Sequence, residues 1–289
     1  MINLFRKLLA KSCDYTMIAN NLGFSGNVYP LLRDINGGES LYSVSPEHGR
    51  SYVVGKTEEG RYIITKGNGL SYTQWIFLNT KEMGTNSWGL VLKEDALRDF
   101  NNGKLAASYG IKTNRMQCVF ELGDTITIAD TDNNKCTTLK PVLLQYDVEC
   151  PLRISDAAFY PKEIIKQYAQ KWRIEYVDNS SPLYMIAANV LINNLRVMHN
   201  NNFLHNAITV HNYTWALELL DFEMSNSEKY PYNDEVNSEV IQVLYNRELL
   251  HTYQVITYIA VVLGETVDFK ELDNLFEKKG FSLQRFSAM

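Results

Sequence analysis

Short apolar stretches bounded by turn residues dominate the first half of the chain, a pattern typical of β-strands. Residues 51–55 and 61–65 are separated by Thr57-Glu58-Glu59-Gly60 and predict an antiparallel hairpin. The second of these strands runs into Lys66-Gly67-Asn68-Gly69. Further strands are predicted at residues 116–122, 125–129 and 141–146, and the first two of these are expected to pair.

Helical stretches dominate the second half, at residues 162–172, 183–198, 236–263 and 269–279, the last with Asp268 as its N-cap. One earlier helix is predicted at residues 92–109, with Gly110 as its C-cap. At the start of the chain, Leu4, Leu8 and Leu9 share one helical face, so residues 1–24 predict a short amphipathic helix and a polar loop. Residues 29–45 are rich in turn formers.

The pattern changes from strands to helices at Cys150-Pro151. We therefore predict an α+β bilobal fold, with a strand-rich N-lobe at residues 1–150 and a helical C-lobe at residues 151–289.

Composition and charge narrow the class of partner. Hydrophobic residues make up 45% of the 289 residues, so the chain has enough apolar material for a core. The formal charge is −5, and no Lys/Arg cluster stands out, which argues against a nucleic-acid partner. The longest apolar run, residues 255–263, is shorter than a membrane-spanning helix needs, so no membrane partner is expected.

The cysteines favour a reducing compartment. Their wide spacing, without a C-x-x-C pattern, is typical of free thiols. We therefore expect a cytoplasmic protein. The cysteines are Cys13, Cys118, Cys136 and Cys150.

The candidate chemistry centres on residues 205–223, where two polar clusters flank an apolar run. Asn212 follows His211, and the leucines before Asp221 predict a short buried strand that ends in a carboxylate. Amide and carboxylate oxygens suit Mg²⁺, and protein kinases hold their metal ions with a catalytic-loop Asn and the Asp of D-F-G. Here the tripeptide is Asp221-Phe222-Glu223. The alternative is an ordinary hairpin with Asp221 as a capping residue.

Lys66 is a candidate phosphate-binding residue because it closes a hairpin strand, as the corresponding kinase lysine does. A buried lysine needs a carboxylate partner, since an unpaired buried charge is costly. The following helix offers Glu94, Asp95 and Asp99, and the last two lie on one face. The alternative is a lysine on the protein surface.

Other candidates are single residues. Gly49 and Arg50 precede the first hairpin strand, where a glycine turn lets backbone N–H groups approach a phosphate. Arg153 can grip a phosphate or form a surface salt bridge. His211 can act as a base, and it can equally be a structural loop histidine, as can His205. The sequence has no zinc-protease or acyl-enzyme motif.

Together these motifs resemble the selenoprotein O family, kinase-like proteins that transfer AMP from ATP to protein hydroxyls. The family pattern H-G-x-M-N-T-D-N-M-S-I-L-G-x-T-I-D-Y-G aligns without a gap on residues 205–223. The family patterns G-D-G-R-A, L-L-G-E, K-G-x-G, R-E-F, L-G-I-P-T-T-R and S-H-x-R are similar, in that order, to residues 48–51, 53–56, 66–69, 98–100, 109–115 and 150–153.

The resemblance implies a protein-kinase-like fold, in which the N-lobe of residues 1–150 binds nucleotide and the C-lobe of residues 151–289 carries the metal-binding loop. It also implies roles for single residues. Asn212 and Asp221 would be the metal ligands. Lys66 would orient the phosphates and be held by Asp99, while Arg153 would grip a phosphate oxygen. His211 occupies the position of the presumed base.

Several positions depart from the family. The presumed base is Asp in the family and His211 here, and the helix Glu is Asp99, one methylene shorter. The second phosphate-gripping arginine falls near Gln145 or Tyr146, and Glu223 replaces a glycine. The family's longer C-terminal portion is expected to be trimmed, so the chain is interpreted as a divergent, shortened member.

The predicted function is a protein nucleotidyltransferase that uses ATP and Mg²⁺ (or Mn²⁺) to transfer AMP to a Ser, Thr or Tyr hydroxyl of a protein substrate. One alternative is a catalytically impaired pseudokinase that serves as a nucleotide-binding or protein-interaction module. The other is an atypical kinase that transfers a phosphoryl group.

Overall fold

The computed structural model describes residues 6–34, 36–43, 50–69, 89–130, 135–232 and 238–283. By its internal contacts the chain divides into two compact units. The first comprises residues 1–101 and 114–151, and the second comprises residues 102–113 and 152–289. The division into functional lobes at residue 150 stays a prediction.

The first unit is built on an antiparallel eight-stranded sheet with the strand order β2-β7-β10-β6-β5-β4-β1-β3. A separate two-stranded sheet pairs β8 with β9. The strands are β1 (Arg6–Ser12), β2 (Tyr15–Asn20), β3 (Leu31–Arg33), β4 (Glu39–Ser43), β5 (Ser51–Lys56), β6 (Tyr62–Lys66), β7 (Arg115–Leu122), β8 (Ile126–Asp130), β9 (Lys135–Leu139) and β10 (Val142–Val148).

Helices account for most regular structure after residue 151. Together with the sheet they confirm the predicted α+β class, strand-rich first and helical second. Among the helices in the described ranges, none is both long and apolar enough to cross a membrane. The helices are α1 (Lys93–Ser108), α2 (Lys162–Glu175), α3 (Leu183–Asn200), α4 (Ser238–Leu263) and α5 (Phe269–Lys278), with short 3-10 turns at Ile154–Ala158 and Val210–Asn212.

Local signals placed several elements correctly. The predicted hairpin is present as β5 and β6, with Ser51 opposite Lys66. Gly110 ends the α1 segment with a φ of 81°, a left-handed conformation that favours glycine. The Asp268 side chain accepts a hydrogen bond from the backbone N–H of Glu271 at 3.0 Å, which confirms it as the N-cap of α5.

The predicted helix near the start of the chain is wrong, because residues 6–12 and 15–20 form β1 and β2. Leu8 packs against a buried cluster while Leu9 is exposed, which is the alternation of a strand. β1 hydrogen-bonds to β3 on one side and β4 on the other. Non-local pairing therefore outweighs the helical spacing of the leucines. The turn-rich region 29–45 likewise contains β3 and β4.

The predicted pairing of residues 116–122 with 125–129 is also wrong. β7 pairs with β2 along one edge and with β10 along the other, so neither edge is available to β8. β8 pairs instead with β9.

Each unit has its own buried apolar side chains. In the first unit, Phe120, Leu122 and Leu143 belong to one cluster, and Leu41 and Tyr52 to another. In the second unit, the buried rings of Trp172 and Trp215 stack with centroids 5.9 Å apart. The indole N–H of Trp172 also donates to the carbonyl of Trp215 at 2.9 Å.

Candidate functional site

A buried ion pair links the end of β6 to helix α1 in the first unit. Lys66 Nζ lies 2.7 Å from Oδ2 of Asp99, and the two side chains are 3% and 2% exposed. Asp95, on the same face, instead bonds Arg98 at 2.9 Å. Of the three carboxylates that the sequence offered, the structure therefore places Asp99 beside Lys66.

Gly67 fixes the backbone directly after β6 and ties it to the residue before β5. Gly67 has a φ of 106°, and a Cβ there would lie 2.4 Å from the carbonyl oxygen of Val142, so only glycine fits. The Gly67 N–H donates to the carbonyl of Arg50 at 2.7 Å, which places Arg50 beside the residue that follows Lys66. Gly49, the other predicted phosphate contact, lies outside the described residues.

Gln145, one of the two residues near which the resemblance expects a second arginine, belongs to a buried amide network. Gln145 is 0% exposed, and its Nε2 donates to the Asn27 carbonyl and to Oε1 of Gln117, both at 2.8 Å. Its Oε1 accepts the Tyr29 N–H at 3.0 Å. Because Lys66 is in register with Leu144, Gln145 points to the opposite face of the sheet. Gln145 is therefore a structural residue that hydrogen-bonds within the first unit, on the face of the sheet away from Lys66.

That opposite face also carries a cavity of about 670 Å³. Gln117 and Asp147 lie in its wall, and Gln117 Nε2 donates to Asp147 Oδ2 at 2.9 Å. Asp147 is further paired with the buried Arg61. Lys66 and Asp99 do not line this cavity, so it is separate from the predicted phosphate residues.

In the second unit, residues 205–223 form a compact irregular loop. It contains the 3-10 turn Val210–Asn212, where the Thr209 hydroxyl accepts the N–H of His211 at 3.2 Å. The predicted strand before Asp221 is wrong, because Leu219 forms only isolated bridges to Tyr213 and Thr113. Leu217 has a left-handed φ of 61°, which no regular strand allows.

The loop brings the backbone of Asn212 next to the residue that precedes Asp221. The N–H of Leu220, the residue before Asp221, donates to the carbonyl of Asn212 at 2.8 Å. The Asn212 side chain is oriented by its own Nδ2, which donates to the Ala207 carbonyl at 2.8 Å. The amide oxygen is then the end of the side chain that faces Nη1 of Arg153, at 3.4 Å.

Asp221 itself has strained backbone. Its φ is 68°, a conformation that costs a residue with a Cβ about 1–3 kcal/mol. Such strain concentrates at functional sites. The carboxylate oxygens of Asp221 and Glu223 lie within 4.8 Å of each other, close enough to share one cation.

His205, which flanks the loop, is a structural residue. Its ring is buried, and Nε2 donates to the Leu220 carbonyl at 2.8 Å. Nδ1 accepts the N–H of Ala207 at 3.3 Å, so the two ring nitrogens have opposite roles. The ring also meets Phe222 edge-on, with centroids 5.0 Å apart. His205 therefore holds the backbone before Asp221 and packs against the side chain of Phe222 after it.

Arg153 hydrogen-bonds to the same loop. Its Nη1 donates to the His211 carbonyl at 2.8 Å and lies 3.4 Å from Oδ1 of Asn212, and the residue is only 8% exposed. These contacts show that Arg153 braces the loop. His211 itself is exposed.

Comparison with known proteins adds little. No family model matches the chain, and no curated protein matches it in sequence. Among solved structures, the ROP18 kinase domain in complex with AMP-PNP and sucrose is similar over 99% of this chain and 88% of that chain. The identity is 12% and the TM-score 0.34, values too low to support a functional assignment. The resemblance to the selenoprotein O family stays a prediction.

The two units therefore present different chemistry. The first holds a cation, Lys66, in a fixed position by a buried carboxylate. The second presents amide and carboxylate oxygens on a strained, heavily hydrogen-bonded loop. A fixed ammonium suits phosphate oxygens, and hard oxygen ligands suit Mg²⁺.

Proposed function

We propose that this protein binds ATP with Mg²⁺ or Mn²⁺ and transfers AMP to a hydroxyl group of a protein. The observation that carries the proposal is the buried Lys66–Asp99 pair. A buried ion pair stabilises a fold little compared with apolar residues of similar size, so its presence calls for another reason. Protein kinases use such a pair, a strand lysine held by a helix carboxylate, to orient nucleotide phosphates.

Asn212 and Asp221 are the proposed metal ligands, with Glu223 as a third. Their amide and carboxylate oxygens correspond to the catalytic-loop Asn and the D-F-G Asp of protein kinases. The metal would neutralise phosphate charge. The role of this chain's residues is to hold those oxygens in place, and the contacts of Asn212 and the strained backbone of Asp221 support that role.

In the proposed reaction, the substrate hydroxyl oxygen attacks the α-phosphorus of ATP. The bond from that phosphorus to the oxygen bridging to the β-phosphate breaks, and pyrophosphate leaves. The hydroxyl proton passes to His211 or to water. Because positioning and charge stabilisation contribute most to such transfers, a weak base is sufficient.

A second candidate function is metal-dependent nucleotide binding without transfer. Arg153 donates to the His211 carbonyl, and Gln145 stands where the resemblance expects a cation. The guanidinium of Arg153 is engaged by the loop backbone and Gln145 is uncharged, so less positive charge is available to bind a transferred phosphate. Transfer of a phosphoryl group is the third outcome, and the orientation of bound ATP decides between it and AMP transfer.

The test is intact-mass spectrometry after incubation with ATP, Mg²⁺ and a pool of protein substrates. Addition of AMP, absent in Asp221→Ala and retained in a Glu163→Ala control, supports the proposal. Glu163 is an exposed carboxylate at the start of α2. Addition of phosphate overturns the AMP chemistry. A thermal shift by ATP and Mg²⁺ without any mass change favours the binding-only function, and no shift counts against both.

A further inference from the structure

Asn102 is a fully buried amide in the part of helix α1 that belongs to the second unit, and its hydrogen bonds converge on one segment of the same unit. It is 0% exposed. Its Nδ2 donates to the carbonyls of Ser225 and Tyr230 at 3.2 and 3.1 Å. Its Oδ1 accepts the hydroxyl of Ser227 at 2.8 Å. One side chain therefore holds both ends and the middle of residues 225–230, the segment that follows Asp221-Phe222-Glu223.

The same segment is closed by bonds of its own. The Ser227 hydroxyl oxygen accepts the N–H of Tyr230 at 3.0 Å, so Ser227 both donates to Asn102 and folds the segment back. Leu204 and Asn226 exchange backbone hydrogen bonds of 2.9 and 2.7 Å. Residues 225–230 are thus a rigid piece whose attachment to α1 goes through Asn102.

Asp221 needs such rigidity because of its left-handed backbone. Before Asp221, the Leu220 carbonyl is held by His205 and the Leu220 N–H by Asn212. After Asp221, the Phe222 carbonyl accepts the N–H of Ser225 at 3.1 Å, and the Ser225 carbonyl is held by Asn102. A strained residue persists only where its surroundings over-determine it, so the bonds on both sides matter.

We propose that Asn102 is a positioning residue for the divalent cation. It fixes the chain after Asp221, so that the Asp221 carboxylate is held in one orientation. The inference rests on the proposed metal role of Asp221. Groups that hydrogen-bond to a metal ligand contribute about 10–100-fold to metal affinity, and Asn102 would act in the same sense through the backbone that follows the ligand.

The decisive variant is Asn102→Asp, which keeps the size of the side chain and the acceptor for Ser227. It replaces the donor by a carboxylate oxygen facing two carbonyls. The matched control is Asn101→Asp, the same change at a partly exposed neighbour. We expect Asn102→Asp to bind Mn²⁺ about 10–100-fold more weakly in a titration with AMP-PNP present, and Asn101→Asp to bind as wild type.

Two further measurements separate positioning from general damage. Hydrogen exchange should show faster exchange at the amides of Ser225, Asn226 and Tyr230 in Asn102→Asp and not in the control. Burial raises the pKa of the introduced carboxyl, so lowering the pH should protonate it and restore one donor. The affinity gap to wild type should therefore narrow at lower pH.

The outcomes are distinct. If wild type binds no Mn²⁺ with AMP-PNP, both the proposed function and this inference fail. If wild type binds and Asn102→Asp binds equally well, the inference alone fails. If Asn102→Asp does not fold, Ser227→Ala replaces it, because this change removes only the hydroxyl between Asn102 and Tyr230. A smaller loss of affinity with faster exchange at Tyr230 then supports the inference, and unchanged affinity overturns it.

Discussion

The ammonium of Lys66 and the carboxylate of Asp99 meet at 2.7 Å inside the first unit, where both side chains are almost fully buried. Removing one partner of a buried pair leaves an uncompensated charge. We therefore expect Lys66→Met to lower the free energy of unfolding by about 3–5 kcal/mol, measured by urea denaturation. Lys56→Met is the control: Lys56 ends the neighbouring strand β5 with its ammonium 4.4 Å from the ring centroid of Tyr62, and its removal should cost about 1 kcal/mol or less.

Stability and nucleotide binding should separate in the double variant Lys66→Met/Asp99→Leu. Apolar residues of similar volume often replace a buried ion pair without loss, so the double variant should recover most of the lost stability. It should nevertheless show no thermal shift with ATP and Mg²⁺. A double variant that still binds nucleotide would show that the pair is structural only.

Arg153 should matter to the protein even without a ligand. Its guanidinium donates to the His211 carbonyl, and hydrogen bonds from charged groups contribute about 1.5–3 kcal/mol each. Arg153→Gln should therefore destabilise the ligand-free protein by about that amount. A residue that only gripped phosphate would leave the ligand-free stability unchanged, so an unchanged urea midpoint contradicts the bracing role.

Sequence reasoning succeeded where the signal was local. The turn 57–60 fixed the β5–β6 hairpin, and Asp268 fixed the start of α5, because each depends on neighbours within a few residues. It failed at β1, whose strand conformation depends on pairing with β3 and β4, distant partners that the spacing of leucines does not report.

The site was predictable in part for the same reason. The sequence placed Asn212 and Asp221 in one stretch of the chain, and in the structure the N–H of Leu220, next to Asp221, donates to the carbonyl of Asn212. Helical spacing alone could not choose Asp99 over Asp95, because it puts both on one face, and it was the family resemblance that named Asp99. Nothing in the sequence marked Asn102 as a site residue, because its hydrogen-bond partners are distant along the chain and become known only with the fold.

His251 should make stability depend on pH. Burial, with Arg247 as a second cause, lowers the pKa of His251 below its ordinary value of 6.5, while the nearby Glu248 opposes this. As the pH falls through 6.5, the unfolded chain binds a proton that the folded protein does not, so stability falls. The urea midpoint should decrease from pH 7 towards pH 5.5, and His251→Gln should flatten that slope. An equal slope in both proteins would assign the dependence to other groups.

The thiols of Cys13 and Cys118 in the first unit should be unreactive in the native protein. Burial raises the pKa of Cys118 to about 12, and burial is also the main cause of the raised pKa of Cys13. Because the thiolate is the reactive form, neither should be alkylated by iodoacetamide at pH 8. Peptide mass spectrometry should find both labelled only after unfolding in urea. Labelling of native Cys118 would contradict its burial.

The stacked indoles described in the second unit give the protein an optical signature. Trp215 lies within residues 205–223, and its ring is nearly parallel to that of Trp172, with 6° between the planes. Two chromophores this close couple electronically, and their circular dichroism depends on the angle and distance between them. A rearrangement of the loop that carries Asn212 and Asp221 therefore changes the near-ultraviolet circular dichroism spectrum, and it can be followed without attaching a label to the chain.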